Sequence, residues 1–130
     1  MSDNFITEII SPSNTILSEK TTEVIIPSFE GQMTILKDHI SLITFLRPGF
    51  IEVTNKLSTN KFYVEDGIVE FSKNNLLILT ASSKNIVDFT SDELINLIEN
   101  AEKNVGKNEL TDKEKYILSY KISTLKELNQ

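Results

Sequence analysis

The chain has 130 residues, of which 39% are hydrophobic and 25% charged, a balance typical of a globular protein. With 19 acidic and 13 basic residues the formal net charge is -6, which argues against nucleic acid and against a lipid-binding surface, because both need clustered basic residues. The sequence has no cysteine, which excludes disulfides, thiolate nucleophiles and sulfur-ligated metals and fits a cytosolic setting. No apolar run approaches the roughly 18 residues of a membrane span, and we expect no secretory signal because the first fifteen residues lack a basic region.

Between residues 5 and 89 the apolar residues form short clusters about 8–12 residues apart, a spacing typical of a β-sandwich or barrel. The ten predicted strand segments are Phe5–Ile10, Ile16–Leu17, Val24–Ile26, Met33–Leu36, Leu42–Leu46, Phe50–Val53, Phe62–Val64, Ile68–Phe71, Leu76–Leu79 and Ile86–Phe89. Several alternate, so that Ile51 and Val53 would face the core while Glu52 faces water. Leu76–Leu79 does not alternate, and we expect it to be covered on both faces.

Turn residues separate these segments. Pro48-Gly49 suits the central positions of a type II turn, since proline fixes φ and glycine accepts a positive φ. Asp66-Gly67 and Asn74-Asn75 can adopt the left-handed conformations that tight hairpins require. Glu30-Gly31 closes the segment that begins at Val24.

At Thr90 the apolar period changes to that of a helix. Thr90 would cap the first helix with Glu93 reaching back, and Gly106 would end it. Its apolar face consists of Leu94, Leu97, Ile98, Ala101 and Val105. A second capping box, from Thr111 to Glu114, opens the second helix. Its apolar stripe is Leu118, Ile122 and Leu125, flanked by Ile117, Tyr120 and Leu128.

Two helices with narrow apolar stripes and a short connection predict an antiparallel hairpin. Helices of roughly 15 residues are marginal alone in water, so this hairpin must pack on something. The predicted fold class is therefore mostly β with C-terminal α: a ten-stranded β-sandwich domain over residues 1–89 and a helical hairpin over residues 90–130.

Nothing in the sequence converges on a catalytic, metal or nucleotide site. His39 is the only histidine, which rules out a multi-histidine metal site and leaves it as a loop residue with polar contacts. Glu65-Asp66 fits a hairpin turn and Asp92-Glu93 a helix first turn, rather than an acid–base pair. No phosphate-binding glycine loop occurs, and we predict no cofactor.

A set of short motifs, in order and spacing, resembles the epsilon chain of the F-type ATP synthase, and the resemblance covers nearly the whole chain. The motifs are Ile26-Pro27, Glu30-Gly31, Asp38–Leu42, Leu46–Gly49, Asp66–Phe71 and Leu79–Ala81. In that family a helical hairpin also follows the β-sandwich. The chain departs from the pattern at Asp38, Ser41 and Asp66, which stand where the family has glycine, proline and glycine.

The resemblance implies a non-catalytic rotor subunit of the central stalk. Such a subunit links the gamma chain to the c-ring and couples proton-driven rotation to ATP synthesis. By position in the motifs, the expected c-ring contacts are Glu30, Gly31 and Gln32, and the expected gamma-chain contacts are Ser11, His39 and Thr44. The expected location is peripheral, on the cytoplasmic side of the bacterial inner (plasma) membrane, reached only through the complex.

The hairpin is expected to have at most a weak regulatory role, through the alpha/beta head. In some family members it inhibits ATP hydrolysis with the help of basic residues, but residues 91–130 here hold six lysines, no arginine and eight acidic residues. Members that bind ATP carry an Asp-x-x-Arg-Ala type motif, and here Asp92 is followed by Ile95 and Asn96 at the last two positions. We therefore predict weak or absent ATP binding, because isoleucine cannot replace an arginine that binds phosphate.

A second reading, from another functional class, is a free-standing β-sandwich module that acts as an adaptor and docks a partner helix with its hairpin. It predicts a stable monomer without membrane enrichment. The rotor subunit should instead co-purify with a membrane-bound assembly.

Overall fold

The computed structural model describes residues 3–107 and 109–129. Within these residues, β-strands come first and two α-helices last. The strands are β1 Phe5–Ile10, β2 Thr15–Thr21, β3 Glu23–Ser28, β4 Gly31–Leu36, β5 Leu42–Leu46, β6 Gly49–Thr54, β7 Thr59–Val64, β8 Gly67–Ser72, β9 Asn75–Leu79 and β10 Lys84–Asn85. The helices are α1 Ser91–Val105 and α2 Asp112–Leu128.

The strands form one hydrogen-bonded path in the order β10-β7-β6-β3-β5-β8-β9-β1-β2, with β4 paired to β3 outside this path. The β1–β9 pair is parallel and the other pairs are antiparallel. The path curls around one core to which every strand from β3 to β9 contributes, together with Phe5 and Ile9 of β1. The predicted fold class, a ten-stranded sandwich followed by two helices, is confirmed.

Side-chain alternation builds the core as expected in most strands. Ile51 and Val53 are fully buried, while Glu52 between them is only half-buried. The prediction that all of Leu76–Leu79 is covered is wrong at its end. Leu76 and Ile78 are buried, but Leu79 is 44% exposed because alternate side chains of β9 point away from the core.

Three of the predicted turns differ from the structure. The type II turn at Pro48-Gly49 is wrong, since Gly49 has no positive φ and already belongs to β6. Glycine is needed there because a Cβ atom would lie 2.6 Å from the Cβ of Pro27. The hairpin after β8 turns at Lys73 and Asn74, with φ of 50° and 59°, one residue earlier than predicted. Positive φ at both central residues makes it a type I′ turn. The predicted hairpin at Glu65–Gly67 is also wrong, since β7 and β8 are not neighbours in the sheet and only Gly67 of these residues has a positive φ.

The predicted strand at Ile86–Phe89 is also wrong. A two-residue strand, β10, pairs with β7, and Ile86–Asp88 form a single 3-10 turn. The Asn85 side chain accepts a hydrogen bond from the backbone N–H of Val87 and so begins this turn. Val87 is 80% exposed, so no burial opposes the turn.

Both helices begin where the sequence predicts, and α1 also ends there. The Thr90 hydroxyl accepts from the backbone N–H of Glu93, and Gly106 follows the last residue of α1. Thr111 and Glu114 form the reciprocal capping box of α2. The helices pack on each other and on the sandwich through one apolar cluster: Tyr63, Leu94, Ile98 and Leu125, with Phe50, Phe89, Leu97 and Leu128 at its margin. We call this the docking cluster. It supplies the packing that the hairpin was predicted to need, while the division into domains at residue 89 stays a prediction.

Candidate functional site

The residues predicted to contact the c-ring lie at the exposed tip of the β3–β4 hairpin. Phe29 and Glu30 form the turn, and Glu30 and Gln32 are exposed. Gly31 has φ of 127°, and nothing lies within 4 Å of where its Cβ atom would be. Buried Ser28 holds the turn from beneath, because its hydroxyl accepts from the Glu30 N–H at 3.1 Å and donates to the Gly31 carbonyl at 2.8 Å. The tip is therefore an ordered backbone that presents polar side chains to solvent.

The three residues predicted to contact the gamma chain have different surroundings. Ser11 follows β1, and its hydroxyl donates to the Asn14 side chain at 2.7 Å. His39 lies in the β4–β5 loop, with its ring centroid 5.9 Å from that of Phe71 in an edge-to-face arrangement and Nδ1 2.7 Å from the Ile40 carbonyl. Thr44, in β5, is only 8% exposed.

Strand alternation accounts for the burial of the Thr44 side chain. Its neighbours Ile43 and Phe45 point outward and are 72% and 58% exposed. Whether any of the predicted residues contacts a partner stays a prediction.

An exposed row of apolar side chains crosses four strands on the same outer face. Phe45 pairs with Ile68, Ile68 with Leu79, and Leu79 with Ile10, so the four side chains stand side by side. Phe45, Ile68 and Leu79 are each more than 40% exposed. We call these four residues the outer apolar row. Ser11 immediately follows Ile10 and so lies at its end.

Sequence reasoning missed the outer apolar row, although a signal existed. In β5 both alternating sets are apolar, and a strand with one face in water should not need Ile43 and Phe45. Exposed apolar patches of this kind mark interaction sites.

The outer apolar row adjoins the β3–β4 tip. Phe29, Glu30, Thr44 and Phe45 line one shallow recess together with Lys113 of α2. One face of the sandwich thus carries an apolar surface and a polar tip side by side.

A group of stacked side chains joins α2 to this region. The Phe29 and Tyr116 rings stack with centroids 5.7 Å apart, and Tyr116 contacts Tyr120 at 4.9 Å. The Arg47 guanidinium carbon lies 3.8 Å from the centre of the Tyr120 ring, a cation–π contact. We call Phe29, Arg47, Tyr116 and Tyr120 the aromatic stack. Its members are up to 91 residues apart in sequence, so no local pattern could reveal it.

Three of the described side chains have a pKa shifted by their surroundings. Burial, and secondarily the negative charge of Glu65, raise the pKa of Tyr63, so its phenol stays protonated at neutral pH. A hydrogen bond from Lys84 at 2.7 Å is the main cause that lowers the pKa of Glu93. Desolvation, and then Tyr120, raise the pKa of Tyr116. Residues 3–107 and 109–129 contain no cluster of three or more histidine or acidic side chains that could hold a metal.

Comparison with known proteins decides the family. Residues 4–85 match the family model of the β-sandwich domain of the ATP synthase delta/epsilon chain. The chain belongs to this family. It is 49% identical over 130 residues to the ATP synthase epsilon chain of Pelagibacter ubique, covering 99% of this chain and 100% of that one. It is 34% identical over 111 residues to the epsilon chain of Rhizobium leguminosarum bv. trifolii, covering 85% and 82%. The resemblance read from the sequence motifs is thereby confirmed.

Solved structures support the fold of this epsilon-family chain. A chain of the Euglena gracilis mitochondrial ATP synthase structure of OSCP, F1 and c-ring superposes with a TM-score of 0.81, covering 100% of this chain and 84% of that one at 17% identity. A chain of the Tetrahymena thermophila mitochondrial ATP synthase central stalk and c-ring superposes with a TM-score of 0.68, covering 96% of each at 15% identity. In the described part of the chain, neither helix has the length and apolar character needed to cross a bilayer.

Proposed function

We propose that the chain is a non-catalytic central-stalk subunit of a proton-translocating F-type ATP synthase, where it links the gamma chain to the c-ring and couples rotation to ATP synthesis. Its relatives are ATP synthase epsilon chains. The observation that carries the proposal is the pairing of an exposed apolar row with an ordered polar tip on one face of a β-sandwich. The chain would reach the cytoplasmic side of the bacterial inner membrane only through this complex.

The two surfaces suit different partners. Covering the outer apolar row with an apolar face of the gamma chain removes it from water. This favours binding by about 25 cal/mol for each Å² of apolar area buried. Glu30 and Gln32 offer hydrogen-bonding groups to the polar loops of the c-ring. The closely packed core between the surfaces resists deformation and so transmits torque.

Assembly on membranes tests the proposal. Phe45→Glu puts a charge into the outer apolar row without disturbing the core, and we expect it to reduce co-purification with the membrane-bound gamma chain and c-ring at least tenfold. Leu57→Glu is the matched control, because Leu57 is 95% exposed in the β6–β7 turn and lies outside both surfaces. Normal assembly of the Phe45 variant would show that the outer apolar row does not contact the gamma chain. A wild-type chain that stays in the soluble fraction, apart from any membrane complex, would instead support the adaptor module.

The c-ring contact has its own test. Glu30→Lys reverses the only charge at the tip of the β3–β4 turn and should weaken rotor assembly and proton-coupled ATP synthesis, as should deletion of residues 29–32. Unchanged synthesis in both variants would show that Glu30, Gly31 and Gln32 do not face the ring.

The hairpin has a weak regulatory role in this proposal and no nucleotide site. Ile95 is 44% exposed on α1 where the ATP-binding relatives would have arginine, and Arg47, the only arginine of the chain, is stacked on Tyr120. Isothermal titration of the isolated chain with ATP should show no micromolar site. A micromolar dissociation constant would contradict this expectation.

A further inference from the structure

The β3–β4 turn receives contacts from two parts of the chain. From the sandwich, the Phe29 N–H donates to the Phe45 carbonyl at 3.0 Å and the Ser28 hydroxyl accepts from the Glu30 N–H. From the hairpin, the Tyr116 hydroxyl donates to the Phe29 carbonyl at 3.0 Å. The carbonyl and the side chain of Phe29 are thus both engaged by one residue of α2.

The contact with Tyr116 constrains the turn in two ways. The hydrogen bond fixes the peptide group between Phe29 and Glu30, and the stacked ring, with an angle of 18° between the planes, fixes the Phe29 side chain. Because a peptide group moves as a unit, its orientation also determines the direction of the Glu30 backbone. Lys113, one helical turn before Tyr116, lies with its ammonium 5.9 Å from the Phe29 ring centre and lines the same recess as Glu30.

Tyr116 is itself held by the docked hairpin. Its ring contacts Tyr120, which stacks on Arg47 of the sandwich, and Lys121 forms an ion pair with Glu65 at 3.0 Å. Release of α2 from the sandwich would therefore remove both constraints on the turn. In the reverse direction, a changed turn would remove one of the attachment points of α2.

We propose that Tyr116 is a positioning residue that couples hairpin docking to the conformation of the Phe29–Glu30 turn. The docked hairpin preorganises the tip that carries Glu30 and Gln32. A partner that binds this tip in its preorganised conformation in turn stabilises the docked hairpin. The two effects are equal in free energy, because coupling between two sites is reciprocal. The coupling is a property of the chain alone. Its consequence for ring binding rests on the proposed function.

Amide hydrogen exchange on the isolated full-length chain, measured by NMR, tests the coupling. Tyr116→Phe keeps the ring and removes the hydrogen bond, and Tyr116→Ala removes both constraints. We expect exchange of the Phe29 and Glu30 amides to rise about two- to tenfold in the first variant, the range of one neutral hydrogen bond, and further in the second. Lys115→Ala, at the exposed neighbouring position, is the control and should leave these amides unchanged.

Phe29→Ala tests the reverse direction. It removes the stacked ring, and we expect faster exchange of the α2 amides around Tyr116. Amides of β1 and β9, which pair in the core, report whether the sandwich stays folded in each variant.

The coupling is overturned if the Phe29 and Glu30 amides exchange at the wild-type rate in Tyr116→Ala, whether or not the α2 amides become faster. It is also overturned if Phe29→Ala leaves α2 unchanged. Membrane assembly then separates the two proposals. If turn exchange is faster in Tyr116→Ala but Glu30→Lys assembles normally with the c-ring, the coupling stands and the proposed ring contact is contradicted. If turn exchange is unchanged in Tyr116→Ala but Glu30→Lys assembles poorly, the ring contact stands and the coupling is contradicted.

Discussion

Leu125→Ala should release the hairpin while the sandwich stays folded. Leu125 is fully buried in the docking cluster, between α1 and the sandwich residue Tyr63. Truncation of a buried leucine to alanine costs about 2–5 kcal/mol. The two helices have 15 and 17 residues and are marginal without tertiary packing, so they cannot absorb this loss.

The expected readout is a local loss of protection. Since 1.4 kcal/mol changes an equilibrium tenfold, a loss of at least about 2 kcal/mol should speed exchange of the α1 and α2 amides by roughly 30-fold or more. Amides of the strand core should keep their wild-type rates. Leu76→Ala is the matched control, because Leu76 is 1% exposed in the sandwich core and the chemical change is the same. It should accelerate the amides of the strands.

Two results would refute this reasoning. Equal acceleration of strand and helix amides in Leu125→Ala would show one cooperative unit and would contradict the predicted division at residue 89. Unchanged helix protection would show that the docking cluster does not hold the hairpin.

Three further changes test single contacts. Tyr63→Phe should raise the free energy of unfolding by about 1–3 kcal/mol in urea titration, because the buried hydroxyl has no partner in the described part of the chain; a decrease would mean that it has one. Gly49→Ala should lower that free energy by about 1–3 kcal/mol, since the new methyl group would collide with the buried Pro27; a value near zero would contradict the close approach. The ion pair of Glu93 with Lys84 should stabilise the start of α1 at pH values above the ordinary glutamate pKa. This stabilisation should be lost as the pH falls through the lowered pKa that Glu93 has in the folded chain. An NMR titration checks this, and a Glu93 pKa at or above the ordinary value would contradict it.

Much of the fold could be predicted because it follows from local rules. Alternation in β6 and β8 and the two helix caps depend on residues within a few positions of each other, and the structure contains them where expected. The errors arise where another contact, distant in one case and local in another, competes with the preference read from the sequence. Gly49 fits a type II turn by composition, but packing against Pro27, 22 residues earlier, requires the glycine instead. At Ile86 the apolar character suggested a strand, and the Asn85 cap favoured a 3-10 turn.

The candidate surfaces could be predicted only in part. Family motifs pointed to Glu30–Gln32, which do form an exposed tip. They also pointed to Thr44, but strand alternation directs its side chain into the sandwich. Predicting the outer apolar row would have required the strand order. β1 and β9 are neighbours through a parallel pairing, and the turn residues that mark hairpins do not indicate such a pairing. The contact of Tyr116 with Phe29 joins residues 87 positions apart.

The contacts between hairpin and sandwich include some that favour docking and some that oppose it. Burial of Leu125 and the aromatic stack favour docking, but the Tyr63 hydroxyl and Arg47 Nε are buried there without a hydrogen-bond partner among the described residues. Each such group opposes docking by about 1–3 kcal/mol. A change of one contact can therefore move the ratio of docked to undocked hairpin tenfold, whereas the sandwich core, with an apolar interior spread over eight strands, tolerates the same change without losing its fold. This difference is why variants of the hairpin contacts should act on the β3–β4 turn and leave the outer apolar row intact.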